Sequence, residues 1–485
     1  MSKFQPIEFY GKKRPSTYQL LPFRFSELDE NRYVLTNLSG EYLVAPKSAV
    51  KPFVEHQLDA SDPLYKELRA RHFLIDDKTN IAPDLLAIKV RTRYERLSDF
   101  TGLHIFVVSL RCEHSCPYCQ VSRQSEDKGK FDMSEADALA AIDLVLQAPA
   151  TNLKVEFQGG ESLLNFELIK FIVNEFKARQ SGKNIAYVIA TNLALIDEVI
   201  LDFCREHEIL ISTSLDGPRE LHNKNRPRPG KDSYERAVAG IHMVREHLGR
   251  DQVSALMTTT ESSLAFGKEI VDEYLAQGFS GIFLRPLSPY GFAIKTKSYL
   301  AYNTDRWLDF YRKTLDYIVD LNRDGIPFRE QYAATILTKM FTSTDPGYVD
   351  LMSPAGIGIG AVVYNYDGAV YASDEARMLA EMGETKFKIG QLNRDSYKDI
   401  FLSPNLLDPL DDSFAFSAPM CNDCAFEPYC GADPVFHFGV YKDYVGRKPE
   451  SEFCRRNMAT FQYLIGKMEE DRHVKKLFLS WARHS

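Results

Sequence analysis

The pattern of apolar and polar positions changes character near residue 100. From there on, short runs rich in β-branched and aromatic residues alternate with longer segments whose apolar positions recur every three or four residues. That alternation predicts parallel strands joined by crossover helices. Strands are expected at residues 103–109, 152–157, 185–191, 210–214, 253–258 and 281–286, and helices at 134–147, 166–179, 197–206, 234–248 and 269–278. Six such repeats suit an α/β fold built as an open, partial (β/α)6 barrel of the TIM type, whose functional loops lie at the carboxyl ends of the strands.

The flanking segments follow other rules. Residues 32–37 and 41–45 read as two short strands joined across Leu38-Ser39-Gly40, followed by amphipathic helices near 47–57 and 62–72 and an apolar stub at 73–75. Residues 295–345 look helical, with an aromatic-rich stretch at 299–320 that reads as core. Residues 355–371 hold Gly-Ile-Gly-Ile-Gly and then a hairpin turning at Asp367-Gly368. The expected division is an N-terminal domain (1–97), the barrel (98–295), a helical bridge (296–350) and a C-terminal domain (351–485).

At 485 residues the chain is too long for one ordinary core. With 44% hydrophobic and 26% charged residues, its composition is that of a soluble globular protein. No apolar run is long enough for a membrane span, and residues 1–14 are polar and basic without a signal-peptide core, so a cytoplasmic location is expected. A formal net charge of -8 and the lack of a basic block argue against a nucleic-acid partner. Of eight cysteines, seven fall into two groups, which in a reducing compartment points to metal rather than disulfides. Cys204, alone in a helical stretch, reads as a packed core thiol.

The first group follows the first barrel strand. The apolar run 105–108 empties into a loop carrying Cys112, Cys116 and Cys119. Three thiolates so close together can converge on one metal centre. A four-iron cluster takes four thiolates, so a three-cysteine loop leaves one iron open to a substrate or cofactor. Plainer readings are a zinc loop drawing on His114, although zinc sites usually close with a fourth Cys or His at other spacings, or three unrelated buried thiols.

The spacing Cys-x3-Cys-x-Tyr-Cys resembles the signature of the radical SAM superfamily. The resemblance implies that the open iron is chelated by S-adenosylmethionine (SAM) and that Tyr118 packs near the adenine. Gln158-Gly159-Gly160-Glu161, after the second strand, resembles the family's Gly-Gly-Glu motif, which implies that Gly159, Gly160 and Glu161 bind the SAM amino group. Glycines permit close backbone approach, and an acid suits an ammonium. Thr191-Asn192 and Ser214-Leu215-Asp216-Gly217 match positions where peptide-modifying members contact the ribose and carboxylate of SAM. Asn192, Ser214 and Asp216 thereby become candidates, although such residues are also ordinary turn and cap formers. Arg285, after the sixth strand, either faces the cofactor or a substrate carboxylate or forms a surface salt bridge.

The second group, Cys421-x2-Cys424-x5-Cys430 followed by Cys454, offers four thiolates, enough to close a cubic cluster. It resembles the SPASM extension of peptide and protein maturases, which binds up to two auxiliary clusters. SPASM members carry further cysteines where this chain has Ala355, Ser373 and Pro434. The resemblance therefore implies two [4Fe-4S] clusters in all, one binding SAM and one auxiliary, with structural zinc as the alternative at the second group. In the room left by the missing cluster, Asp374 or Glu375 is a candidate proton acceptor and Arg377 a candidate to orient substrate. A solvated charged turn is the alternative.

The radical SAM resemblance covers residues 103–460. Tyr-Cys-Gly-Ala-Asp-Pro and Ser-Asp-Glu-Ala-Arg-Met make the chain most similar to the B-type maturase of the His-Xaa-Ser peptide systems. This implies a 5'-deoxyadenosyl radical that takes hydrogen from a ribosomally made precursor peptide, side-chain cross-linking, and electron loss to the auxiliary cluster. The implied partners are a precursor with a leader, rich in His-Xaa-Ser repeats, a reductant such as flavodoxin or ferredoxin, and a partner radical SAM maturase. The N-terminal hairpin and helices resemble winged-helix elements that bind leader peptides, and a domain that merely caps the barrel is the alternative. Other functions in view are a formylglycine-type sulfatase maturase, a peptide epimerase, and a non-catalytic electron-transfer or peptide-binding protein.

Overall fold

The computed structural model describes residues 17–125, 127–179, 182–295 and 302–483. The basic segment 1–14, and residues 299–301 of the aromatic-rich stretch, lie outside the described residues. The N-terminal part comprises β1 (Tyr18–Leu20), β2 (Phe23–Glu27), β3 (Arg32–Asn37), β4 (Tyr42–Pro46), α1 (Lys47–Val54), α2 (Pro63–Ala70), β5 (Leu74–Asp76) and α3 (Ala82–Tyr94). β2, β3 and β4 form an antiparallel sheet and β1 pairs with β5. Tyr18, Leu35, Leu43, Phe53, Tyr65 and Phe73 give these elements a core of their own. The expected hairpin is present, but β2 adds a third strand. Its alternation is masked in the sequence because a charged residue, Arg24, is the one that turns inward.

The barrel strands are β6 (Leu103–Ser109), β7 (Asn152–Gly159), β8 (Asn184–Thr191), β9 (Leu210–Ser214), β10 (Val253–Thr258), β11 (Gly281–Ile282) and β12 (Leu284–Arg285). The crossover helices are α4 (Glu135–Gln147), α5 (Phe166–Ala178), α6 (Glu198–Glu206), α7 (Arg219–Asn225), α8 (Ser233–Leu248) and α9 (Gly267–Ala276). β6 to β10 and then β12 lie side by side in chain order, all parallel. Phe106, Val107 and Val108 are fully buried because helices cover one face and the barrel interior the other, which is why β6 reads as an unbroken apolar run. Side-chain caps start two of these helices: Ser134 accepts from Asp137 N on α4, and Asp197 from Ile200 N on α6.

Two features depart from the expected division. The sixth strand is broken in two. β11 pairs with β13 (Arg329–Glu330), whereas β12 pairs with β10, Thr258 opposite Arg285. The break is made by Glu330, fully buried, whose carboxylate accepts from Leu284 N at 3.1 Å and caps α11 (Gln331–Phe341) through Tyr332 N and Ala333 N. α10 (Thr304–Arg323) packs between α9 and the C-terminal helices.

The second departure concerns the hairpin β14 (Ala361–Tyr364) and β15 (Ala369–Tyr371), which with β16 (Lys388–Gln391) extends the barrel sheet itself. β14 runs parallel to β6, Ala361 opposite Leu103 and Tyr364 opposite Phe106. The boundary drawn at residue 350 therefore does not separate two sheets. Val362 and Val363 are fully buried, so the backbone of β14 needs hydrogen-bond partners, which the open edge of β6 provides. His104 adds a polar tie, with Nδ1 3.0 Å from Tyr364 Oη and Nε2 3.1 Å from Thr101 O. The chain then forms α12 (Asp374–Ala380), the cysteine-bearing loops, α13 (Pro434–Tyr441), α14 (Glu452–Glu470) and α15 (Arg472–Arg483). Among the described residues no helix is long and apolar enough to cross a membrane.

Candidate cofactor and active site

A cavity of about 230 Å³ opens at the carboxyl ends of the barrel strands. It gathers Cys112, Cys116, Cys119 and Tyr118 from the loop after β6, Gly159 and Gly160 after β7, Asn192 after β8 and Ser214 at the end of β9. Arg285 of β12 and Asp374 of α12 face the same space. Gly159 has φ +142°, and a Cβ there would lie 1.8 Å from Ser109 O, so only glycine brings this turn against the cysteine-bearing loop. At Gly160 a Cβ would meet Arg111 O at 2.3 Å.

Glu161 and Asp216 do not line the cavity, and both are completely buried. Glu161 accepts from Thr191 Oγ1 at 2.6 Å, Leu163 N at 3.0 Å and Asn192 N at 2.8 Å, so its carboxylate welds the β7 turn to the β8 turn. Burial and the nearby Glu113 push its pKa up to about 7 against those bonds. Asp216 accepts from Tyr118 Oη at 2.6 Å, and its Oδ2 lies 3.1 Å from Arg226 Nε. Glu161 holds the Asn192 turn, and Asp216 holds the aromatic side chain and an arginine.

Arg226 does line the cavity, and its guanidinium lies 5.5 Å from the Tyr118 ring centre. Burial opposes its charge, but Asp216, Tyr118 and Cys116 keep it protonated. The sequence reading missed it, because Arg226-Pro227-Arg228-Pro229 looks like a solvated loop. The cysteine loop is also braced by Asn192 Nδ2, which donates to Glu113 Oε1 at 2.9 Å, and by His114, whose Nε2 lies 2.9 Å from Ser233 Oγ.

On the opposite wall, Ser373 Oγ accepts from Ala376 N at 3.2 Å and starts α12. Residues 374–377 are therefore a capped helix and not a solvated turn. Arg377 is 1% exposed, with Nε 3.1 Å from Asp374 Oδ1 and Nη1 donating to Val121 O at 3.2 Å. Glu375 pairs with Arg285 at 3.5 Å, which takes Arg285 away from the surface salt bridge considered for it. Burial, together with the charges of Asp350 and Asp374, raises the Glu375 pKa against the pull of Arg285.

Cys421, Cys424, Cys430 and Cys454 line a second cavity, of about 560 Å³. Phe426 N donates to Cys424 Sγ at 3.4 Å and Asn457 Nδ2 to Cys430 Sγ at 3.5 Å. Cys204 is 1% exposed on α6, packed in the core.

Both donor sets can be tested for fit. A tetrahedral zinc with bonds of about 2.3 Å would bring its sulfurs within about 4 Å of one another. Among the described residues the only three ligand atoms mutually within 4.8 Å belong to Cys112, Glu113 and His114, and both nitrogens of that histidine already have partners. Neither thiol group is drawn in tightly enough for one zinc, whereas wider spacing around a roomy cavity suits a cluster.

Residues 106–260 match the model of the radical SAM superfamily. An uncharacterised protein of Methanothermobacter thermautotrophicus is 30% identical over 192 residues, 39% of this chain and 69% of that protein. The chain belongs to the radical SAM superfamily. A second uncharacterised relative, from Methanocaldococcus jannaschii, is 32% identical over 186 residues, 38% of this chain, and the match spans 62% of that relative's length. A cysteine-type anaerobic sulfatase-maturating enzyme of Clostridium perfringens is 22% identical over 315 residues, 62% of this chain and 80% of that enzyme. Among solved structures, native anSMEcpe with bound AdoMet and Cp18Cys peptide superposes with a TM-score of 0.63 at 17% identity, over 79% of this chain and 99% of that one. Streptococcus suis SuiB bound to precursor peptide SuiA gives 0.51 at 15% identity, over 90% of this chain and 100% of that one. At these identities the likeness speaks for the α/β radical SAM fold and its parallel sheet. Membership supports a radical SAM enzyme with SAM and a [4Fe-4S] cluster as its cofactors.

Proposed function

We propose that this radical SAM enzyme modifies a ribosomally made precursor peptide by removing hydrogen and cross-linking side chains, with SPASM-type chemistry and one auxiliary cluster on Cys421, Cys424, Cys430 and Cys454. The observation that carries the reading is the single cavity at the strand ends, where the three-cysteine loop, Gly159 and Gly160, Asn192 and Ser214 meet a second wall made by Arg285 and Asp374. The peptide as substrate draws on the solved relatives that hold Cp18Cys and SuiA. The His-Xaa-Ser character of the precursor, its leader, a partner maturase and a flavodoxin or ferredoxin donor belong to the same proposal. So does leader binding by the N-terminal domain, in the manner of a winged-helix element.

Cys112, Cys116 and Cys119 would hold the first cluster, which with SAM supplies a primary carbon radical able to take a hydrogen atom, and the second thiol group would hold an electron acceptor. The chain's own residues do the positioning. Gly159 and Gly160 present backbone to the amino end of SAM, Asn192 and Ser214 border its ribose and carboxylate, and Arg226 brings a fixed positive charge to the same wall. Asp216 locks Tyr118 and Arg226 in place. Asp374 lines the substrate side and is held by Arg377, so its carboxylate is placed to take the proton lost on cross-linking, with Glu375 behind it.

The test is an anaerobic assay with SAM, a reductant and a leader-bearing candidate precursor peptide rich in His-Xaa-Ser repeats, read by mass spectrometry. Release of 5'-deoxyadenosine with loss of two hydrogens from the peptide is expected. Release of 5'-deoxyadenosine with unchanged peptide mass replaces cross-linking by epimerisation, and no release at all removes the catalytic reading. A second reading, a sulfatase-type maturase, is favoured by the 80% coverage of the Clostridium perfringens enzyme. Oxidation of serine to an aldehyde also removes two hydrogens, so a hydroxylamine probe that captures an aldehyde separates the two.

A further inference from the structure

Among the described residues, the N-terminal domain adds none to the lining of the strand-end cavity, yet β2 reaches the second cysteine group. Arg24 is 8% exposed, and its Nε donates to Asn422 O, in the turn between Cys421 and Cys424. Its Nη1 donates to Glu427 Oε2 at 3.0 Å, in the loop between Cys424 and Cys430. The guanidinium also lies 5.3 Å from the Phe416 ring centre. One rigid fork thus ties together the two short loops whose ends are Cys421, Cys424 and Cys430. Ser26, on the same strand, lines the thiol cavity directly.

The surrounding contacts hold the outside of the same loop. Arg93 donates to Pro428 O, and Tyr429 Oη donates to Gly40 O at 2.6 Å. These bonds fasten the two parts of the chain together without touching the Cys421–Cys424 turn. Arg24 differs from them in gripping both turns at once. Burying a guanidinium is costly even when it is paired, and apolar side chains would seal the same contact at no greater cost. What an arginine adds is geometry: its planar fork fixes two acceptors relative to one another.

We propose that Arg24 is a positioning residue of the four-cysteine site, which is therefore shared between the N-terminal domain and the C-terminal segment. This rests on reading that site as an iron-sulfur centre. The experiment uses the full chain with Cys112→Ala, Cys116→Ala and Cys119→Ala, so that the remaining iron belongs to the second group. After anaerobic reconstitution, iron content, the electron paramagnetic resonance spectrum of the reduced state, the midpoint potential and the rate of bleaching in air are measured, with circular dichroism to confirm folding.

Arg24→Ala should lose iron about tenfold more readily, the usual scale for removing a group that orients metal ligands, and the iron it retains should show an altered spectrum and potential. Arg24→Lys, which keeps the charge but not the fork, should restore part of the iron without the parent spectrum. Tyr429→Phe cuts a bond across the same contact and should behave as the parent. Iron, spectrum and potential unchanged in Arg24→Ala overturn the proposal, and so does equal damage from Tyr429→Phe, which would reduce the effect to domain docking. If the parent takes up zinc and no iron, the iron-sulfur reading falls. The clamp is then judged on zinc, and full retention by Arg24→Ala overturns it.

Discussion

His104 offers a quantitative check on how the barrel is joined to the hairpin beside it. The side chain is fully buried in β6, with one ring nitrogen at Tyr364 Oη and the other at Thr101 O. Burial lowers its pKa from 6.5 to about 3, so the folded chain excludes a proton that the unfolded chain accepts. Since the folded pKa is the lower one, this stability is complete above pH 6.5 and is lost as the pH falls toward 3. At about 1.36 kcal/mol per pH unit, the loss is on the order of 1 kcal/mol at pH 5.5 and on the order of 3 kcal/mol at pH 4.5. The assay is urea unfolding of the metal-free chain at pH 7.5, 5.5 and 4.5, in parallel with His104→Gln, which keeps a donor and an acceptor but does not titrate. The advantage of the parent over the variant should shrink by these amounts as the pH falls. A difference constant within about 0.5 kcal/mol, the scale of ordinary non-additivity, would show that this ring is not the titrating group.

Three further outcomes are expected. Asp216→Asn removes the charge facing Arg226 and weakens the grip on Tyr118, and should cost about 1.5–3 kcal/mol of SAM affinity in anaerobic calorimetry, part of it recovered by adding Arg226→Met. Gly159→Ala would force a Cβ into Ser109 O and should destabilise the barrel by about 3 kcal/mol or more, visible as a lowered thermal midpoint. Cys112→Ser should hold about four irons per chain where the parent holds about eight, and should release no 5'-deoxyadenosine.

The barrel was legible because its strands are short and either unbroken apolar runs, as in β6, or alternating, as in β7, while its helices repeat every three or four residues, so the period changes wherever the chain crosses from one to the other. The destination of the hairpin at residues 361–371 was not, because a buried strand advertises its apolarity and not its neighbour. Only the pairing with β6 tells that it completes the barrel sheet. At the site, the rule that function gathers at carboxyl strand ends anticipated one shared cavity. Residue type alone did not reveal that Glu161 and Asp216 are buried and brace neighbouring turns and side chains. Arg24 and Arg226 escaped notice for a similar reason. A lone cation in polar sequence resembles a solvated one until its partner, far away in the chain, comes alongside.

The late arrival of β14 bears on how this protein is made. Until the hairpin has been synthesised, the completed strands leave Leu103 to Phe106 with an unzipped, greasy flank, the kind of border on which nascent chains stick to one another. A gene cut at residue 295 would make that state permanent and yield insoluble material, whereas one carried through residue 391 gives the flank its proper neighbour.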